Sequence, residues 1–154
     1  MLPQFYRIIV VNNSGQTLTY NNNGRINVKL TAWYYNPATG KMVYAALGDD
    51  ACSFAAASTL LAAAEAKSAE IDNTANLYIG LQVQLEITHD EGAAAVGTFD
   101  LYLDGGDATG ELSSDATGYD TAALNGLLYI GSLTWQAAML DDEVGRSPTH
   151  EIGG

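Results

Sequence analysis

Hydrophobic and polar residues alternate most strictly between Leu77 and Thr88. Because successive side chains on a strand point to opposite faces, this alternation predicts a long β-strand with one apolar and one amphipathic face. A helix would distribute the same residues around its whole circumference. One face of this strand can pack on a core while the other contacts water or a partner. This arrangement favours an antiparallel sheet. The predicted apolar face comprises Leu77, Ile79, Leu81, Val83, Leu85 and Ile87.

Further strands are predicted on both sides of this segment by alternation, β-branched residues and flanking turn residues. They cover residues 4–11, 16–20, 25–35, 41–47, 96–103 and 127–135. In the segment 25–35, one face would carry Ile26, Val28, Leu30, Ala32 and Tyr34. In the last two segments, the inward residues would be Phe99, Leu101, Leu103, Leu127, Tyr129, Leu133 and Trp135.

The segment 54–70, FAAASTLLAAAEAKSAE, differs in composition from the rest of the chain. Alanine has the highest helix propensity, and no glycine or proline interrupts the segment. Ser53 precedes it and has a side chain suited to capping a helix. We therefore predict one helix here, packed at an edge or connection of the sheets.

The length of 154 residues favours a single domain. We predict a mainly β protein, an antiparallel β-sandwich of about seven or eight strands, over residues 1–135, followed by an acidic C-terminal tail over 136–154. The hydrophobic residues within 104–126 follow neither the helical nor the strand period, which predicts a long loop. The first residues predict a strand rather than a signal peptide, and no apolar run approaches the ~20 residues of a transmembrane helix. These features favour a soluble protein made inside a cell.

The charge of the chain is strongly unbalanced, with 18 acidic and 6 basic residues and a formal net charge of −12. Nucleic acids and anionic membranes are bound through clustered Lys and Arg, so neither is expected as a partner. Solubility is one explanation for the acidic excess. A docking surface for a basic partner is the alternative.

No arrangement of catalytic residues is visible in the sequence. The only histidines are His89 and His150, and neither lies in a hydrolase motif such as G-x-S-x-G. Cys52 is the only cysteine and is expected to be buried and unreactive. Phosphate-loop and dinucleotide-binding motifs are absent. We therefore predict that the protein is not an enzyme and needs no cofactor. A small hydrolase is a less favoured alternative, ranked third after the two non-enzymatic functions given below.

Three acidic residues in the Gly-rich loop, Asp104, Asp107 and Glu111, offer oxygen ligands of the type that calcium prefers. Their spacing does not match an EF-hand, and Asp and Gly are common in ordinary surface turns. An ordinary surface loop without a metal is the preferred interpretation, and calcium binding is the alternative.

Several aromatic residues fall on the polar side of predicted strands. Packing at the edge of the core is one explanation, and an aromatic contact surface is the other. Such surfaces commonly supply the anchors of protein interfaces. The predicted interface residues are Trp33, Tyr35, Tyr78, Tyr102 and Tyr119.

Two segments, RIIVVNNSGQTL at 7–18 and GTFDLYLDGG at 97–106, resemble strands of small structural proteins of tailed bacteriophages. The second follows the long alternating strand and precedes an Asp/Ser/Gly-rich loop, as in those proteins. The resemblance implies a β-sandwich or jelly-roll-like domain bound to the particle, often as a head decoration (cement) protein. It implies no catalytic residues. The predicted helix and the acidic tail depart from the pattern.

The resemblance leads us to expect a capsid decoration protein that is made in the host cytoplasm and located in the virion. Its partners would be the major capsid protein or other virion proteins, and it would form homo-oligomers or lattice contacts. A tail or neck component is the nearest alternative. A carbohydrate-binding β-sandwich module is the alternative from another class, because outward aromatic residues also stack on sugars.

Overall fold

Two antiparallel β-sheets form most of the structure, which is a computed structural model. It describes residues 2–19, 25–48, 59–75, 77–89, 94–106, 127–136 and 143–153. The strands are β1 (Phe5–Asn13), β2 (Leu18–Thr19), β3 (Arg25–Asn36), β4 (Lys41–Gly48), β5 (Thr59–Leu60), β6 (Glu65–Lys67), β7 (Ile71–Asp72), β8 (Gly80–Thr88), β9 (Gly97–Gly106), β10 (Leu128–Trp135), β11 (Val144–Arg146) and β12 (His150–Gly153).

Each of the two main sheets contains five strands. The first, which we call sheet I, has the order β10-β9-β1-β6, and β7 also pairs with β1. The second, sheet II, has the order β11-β8-β3-β4, and β12 also pairs with β8. A separate pair of short strands, β2 and β5, brings the buried residues Leu18 and Leu60 opposite each other. The predicted mainly β, antiparallel, two-sheet architecture is confirmed.

The hydrophobic core contains the inward side chains of both sheets. Sheet I contributes Tyr6, Ile8, Val10, Phe99, Leu101, Leu103, Leu133 and Trp135. Sheet II contributes Val28, Leu30, Ala32, Leu81, Val83, Leu85 and Ile87. Burying one such Val, Leu or Ile side chain stabilises the fold by about 1.5–3 kcal/mol. The alternation of the sequence therefore predicts the core correctly along β3, β8 and β9.

The long alternating strand begins later than its pattern predicts. β8 starts at Gly80, while Leu77 is exposed and has a positive φ of 51°. The chain turns immediately before the strand, because the backbone N–H of Leu77 donates to the carbonyl of Asn73. The Oδ1 atom of Asn73 also accepts a hydrogen bond from the N–H of Tyr78. Because of this turn, Leu77 lies outside the sheet, and the strand begins only at Gly80.

A β-bulge in β10 reverses the predicted face of Tyr129. The register pairs Tyr129 with Tyr102 but Gly131 with Leu101, so Ile130 is the extra residue. An extra residue shifts the alternation by one position. Leu133 and Trp135 point into the core as predicted, whereas Tyr129 lies on the outer face.

The predicted helix is not confirmed. Residues 54–58 lie outside the described residues, and residues 59–70 contain β5 and β6 rather than a helix. β6 pairs with the central strand β1, and Ser68 donates its backbone N–H to the carbonyl of Ile8. Helix propensity is a weak preference, and an isolated helix of this length is marginal in water. Pairing with β1 supplies backbone hydrogen bonds and outweighs the propensity of alanine.

The predicted C-terminal tail contributes two strands to sheet II over the part that the structure describes. β11 and β12 both pair with β8, on the side opposite β3. Between them, the buried Ser147 accepts a hydrogen bond from the N–H of Leu85 through Oγ and donates its own N–H to the Leu85 carbonyl. Residues 143–153 thus belong to the sandwich, because they cover the edge of β8 that would otherwise be unpaired.

Candidate functional site

The hairpin of β3 and β4 carries three exposed large hydrophobic side chains on the outer face of sheet II. Tyr35, Met42 and Tyr44 are 53%, 43% and 61% exposed. The register places Tyr35 opposite Met42 and Trp33 opposite Tyr44, so these side chains lie on one face. We call Tyr35, Met42 and Tyr44 the hairpin surface. Adjacent exposed apolar side chains of this kind make the hairpin surface a candidate contact site.

Trp33 lies next to the hairpin surface on the same face and is only 7% exposed. Its indole ring covers Gly80 so closely that a Cβ atom at that position would overlap the ring. The ring centroids of Trp33 and Tyr44 are 6.2 Å apart. Trp33 therefore packs beside Tyr44 on the same face and presents little of its own ring to a partner.

A second aromatic group lies on the outer face of sheet I. The ring centroids of Tyr102 and Tyr129 are 5.4 Å apart, and Tyr129 is 53% exposed. Burial raises the pKa of the half-buried Tyr102 above its usual value, and the charge of Asp100 adds to the effect. We call Tyr102 and Tyr129 the tyrosine-pair surface.

The five residues predicted as an interface do not form one cluster. Tyr35 and Tyr102 lie on different sheets. Tyr78 is half-buried and packs near Tyr34, with ring centroids 6.0 Å apart. Tyr119 lies outside the described residues.

Sequence reasoning missed three exposed residues of these surfaces, Met42, Tyr44 and Tyr129. The turn between Asn36 and Lys41 fixes the register of the hairpin, so Met42 and Tyr44 could have been placed opposite Tyr35 and Trp33. The position of Tyr129 depends on the bulge, for which the sequence carries no clear signal.

Asp104, the first of the predicted calcium ligands, is paired with a cation. Its carboxylate is buried at the end of β9, and Oδ2 lies 3.4 Å from Nε of Arg7. Asp107 and Glu111 lie outside the described residues. No group of three metal-ligating side chains occurs among the residues that the structure describes.

Ion pairs flank a buried apolar strip on the outer face of sheet I. Ile9 and Val11 point away from the core of the sandwich and are nevertheless buried. Lys67 and Glu65 lie opposite them on β6 and form a salt bridge of 2.7 Å. Burial raises the pKa of Glu65 above its usual value, although the hydrogen bond and charge of Lys67 act in the opposite direction.

A buried polar network joins the end of β1 to the end of β8. The Ser14 hydroxyl lies 2.7 Å from Oδ1 of Asn12 and 3.2 Å from Nε2 of His89. The Ser14 hydroxyl donates to Asn12, and Nε2 of His89 lies within hydrogen-bond distance of the same oxygen. The His89 ring packs against Phe99 and Trp135, and both His89 and Ser14 are buried. This arrangement is suited to holding strands together rather than to activating Ser14 as a nucleophile.

The second histidine, His150, lies where the two sheets approach each other. It begins β12, and its imidazole ring covers Gly131 of β10, where a Cβ atom would overlap the ring. Gly131 is therefore required for this close approach. Cys52 lies outside the described residues.

A pocket of about 260 Å³ lies beside the turn before β8. Its walls are mostly apolar, and its polar side chains come from Gln4, Asn73 and Tyr78. The Asn73 amide already donates to the carbonyl of Tyr78 and accepts from its N–H. The pocket is smaller than most small-molecule sites, which are about 300–1,000 Å³.

Glu86 of β8 is predicted to make folding stability depend on pH. A hydrogen bond from Lys29 lowers the pKa of Glu86 below its usual value of 4.5, against the opposing effect of burial, and Arg146 contributes its positive charge at 3.3 Å. A lowered pKa adds stability above pH 4.5 that is lost as the pH falls through the folded-state pKa. Replacing Glu86 with Gln should therefore cost about 1 kcal/mol at pH 7 and less at about pH 3.

This difference is measured by urea unfolding of both proteins across that pH range. Glu151→Gln is the matched control, because Glu151 is an exposed carboxylate that accepts a hydrogen bond from Gln82 on the same sheet. An equal pH dependence for the two variants would show that the Lys29 and Arg146 contacts do not stabilise the fold.

No protein-family model, curated protein or solved structure matches this chain. Among the described residues, no helix is long and apolar enough to span a membrane.

Proposed function

We propose that this protein is a non-enzymatic structural component of a bacteriophage particle, most simply a capsid decoration protein that binds the head lattice. The observation that carries the proposal is the presence of exposed aromatic side chains on the outer faces of both sheets. The hairpin surface lies on sheet II and the tyrosine-pair surface on sheet I. A protein that bridges neighbouring subunits needs two such surfaces, whereas a single-ligand module needs one.

The two segments that resemble phage structural proteins become direct neighbours, which supports the proposal. Residues 7–18 include most of β1, and residues 97–106 are β9. These strands pair antiparallel along their whole length, from Asn13 opposite Thr98 to Phe5 opposite Gly106. The resemblance therefore concerns one contiguous unit of sheet I. It also implies the jelly-roll-like connectivity and the virion location that we include in the proposal.

A carbohydrate-binding module is the second candidate, because Trp33, Tyr35 and Tyr44 lie on one face of sheet II. Sugar rings stack on exposed aromatic faces, and Tyr35 and Tyr44 meet this requirement. Trp33 does not, since it is 7% exposed. The remaining exposed tyrosine, Tyr129, lies on sheet I and not on this face. Aromatic residues on both sheets favour a particle protein over a sugar-binding module.

The first test is the copy number of the protein in purified phage particles from its source, measured by quantitative mass spectrometry against the major capsid protein. A ratio near a simple fraction of the capsid protein is expected for a decoration protein. A few copies per particle would assign it to the tail or neck. Absence from particles would overturn the proposal, and binding to a panel of polysaccharides would then test the second candidate.

If the tyrosine-pair surface contacts the particle, truncating its exposed side chain should weaken binding to the particle. Replacing Tyr129 with Ala should lower the copy number at least about tenfold, because truncating an aromatic anchor commonly costs 1.4 kcal/mol or more. Val96→Ala is the matched control, since Val96 is an exposed hydrophobic residue immediately before β9. Both variants should keep the circular dichroism spectrum and melting temperature of the wild type. Equal retention of both on particles would exclude this surface as the contact.

A further inference from the structure

β4 is an edge strand with unusual properties for an exposed edge. It pairs with β3 on one side, and in the described part of the chain no strand pairs with its other side. From Lys41 to Ala46 its pairing with β3 is uninterrupted. An edge strand presents unpaired N–H and C=O groups that can pair with another chain. Its side chains Met42 and Tyr44 belong to the hairpin surface.

The other edges carry features that prevent such pairing. β6 and β7 have only three and two residues. β11 and β12 are three and four residues long and are separated by a segment that contains Pro148. β10 is interrupted by the bulge between Tyr129 and Gly131. Short strands, prolines and bulges are the devices by which natural proteins protect sheet edges. β4 has no proline, Lys41 is its one charged residue, and its own register irregularity lies near its end, at Leu47, outside the stretch Lys41–Ala46.

The acidic residues of the chain lie outside the part that forms this edge. Residues 1–48 contain four basic and no acidic residues, whereas residues 49–154 contain 18 acidic and two basic residues. The formal charges are therefore +4 and −16, which sum to the total of −12. Two copies of a chain with this charge repel each other across most of their surfaces. The β3–β4 hairpin, residues 25–48, contributes no negative charge to that repulsion, and its only charged residues are Arg25, Lys29 and Lys41.

We propose that β4 pairs antiparallel with β4 of a second copy, so that sheet II continues across a two-fold axis. Identical strands complement each other in this arrangement, because each offers the same alternating donors and acceptors. A register centred on Val43 keeps the outer faces of the two sheets on the same side. It places Met42 of each copy opposite Tyr44 of the other, and such cross-strand apolar pairs stabilise a sheet.

The proposed dimer goes beyond the proposed function and does not depend on it. The two-fold contact uses β4 and the hairpin surface, and it leaves the tyrosine-pair surface on sheet I open. A dimer could therefore bind a particle through one tyrosine-pair surface from each copy. Such bivalent binding raises the apparent affinity without any new contact.

Sedimentation velocity of the full chain over a range of concentrations tests this inference. The wild type should form dimers with a dissociation constant in the micromolar range, as is usual for small interfaces. Tyr44→Lys should raise that constant at least about tenfold, because a charge on an exposed edge opposes pairing. Tyr129→Lys is the matched control, since Tyr129 is a similarly exposed tyrosine on β10, an edge strand of sheet I. Its dissociation constant should stay within about threefold of the wild-type value.

Amide hydrogen exchange of the wild-type protein tests the same contact without a variant. At concentrations above the dissociation constant, the backbone amides of β4 should exchange severalfold more slowly than in the dilute protein. The amides of β10 should exchange at the same rate in both. A wild type that stays monomeric, an equal effect of Tyr44→Lys and Tyr129→Lys, or slowed exchange at β10 instead of β4 would overturn the inference. A dimer that is absent from particles would overturn only the proposed function.

Discussion

Replacing Trp135 with Ala should lower the free energy of unfolding by about 3–5 kcal/mol. Trp135 is fully buried at the end of β10, where its ring contacts Phe99 and His89. It also packs so closely on Gly145 of β11 that a Cβ atom there would lie 2.8 Å from its ring. Truncation would leave a cavity between the sheets and remove the packing that holds the C-terminal strands. We expect the melting temperature to fall by roughly 6–20 °C.

Urea unfolding followed by circular dichroism measures this loss. Leu128→Ala is the matched control on the same strand, because Leu128 is exposed, and its effect should stay within about 0.5 kcal/mol. A loss below about 1 kcal/mol for Trp135→Ala would show that β10 is not packed against the core as described.

Replacing Asn12 with Asp should cost about 3–5 kcal/mol at pH 7, because the variant places a negative charge in a fully buried site. The Asn12 amide donates to the carbonyl of Gln16 at 2.8 Å and lies 3.2 and 3.3 Å from the carbonyl oxygens of Leu60 and Leu61. A carboxylate cannot donate these hydrogen bonds, and it would repel the same oxygens.

The pH dependence separates this mechanism from a simple loss of packing. Burial should raise the pKa of the introduced carboxyl group above its value in the unfolded chain. The variant should therefore be closest to the wild type below about pH 4 and should lose stability as the pH rises through the folded-state pKa. Parallel urea unfolding at several pH values measures this trend.

Asn36→Asp is the control for the chemistry of the substitution. The Oδ1 atom of Asn36 accepts a hydrogen bond from the N–H of Ala38, and a carboxylate oxygen can replace that atom. We expect a change within about 0.5 kcal/mol. If Asn12→Asp were equally mild, or independent of pH, the network of Asn12, Ser14 and His89 would not hold β1 to its neighbours.

The same network contains a Ser–His pair, Ser14 and His89. The sequence places Ser14 and His89 75 residues apart, and only the fold brings them within 3.2 Å. Both are buried, and the Ser14 hydroxyl is oriented by Asn12. We interpret the pair as a structural connection between β1 and β8. It stabilises the end of the sandwich at which Phe99 and Trp135 pack.

The strands and their inward faces could be predicted wherever a single register holds along the chain. Alternation identified Val28 and Leu30 on β3, Leu81 to Ile87 on β8, and Phe99 to Leu103 on β9 as core positions. Burial of one face of a sheet requires this pattern, so the pattern is visible in the sequence itself. The acidic excess and the absence of clustered basic residues are likewise properties of the sequence.

The tertiary structure decided the features that depend on partners distant in sequence. Within residues 59–70, β5 and β6 form because β2 and β1 offer them hydrogen bonds, although alanine favours a helix. Residues 143–153 join sheet II because β8 has a free side. Tyr129 faces outward because one extra residue shifts the register of β10. The exposed tyrosines lie on the outer faces of two different sheets. Which side chains share a surface is determined by the pairing of the strands and not by their composition.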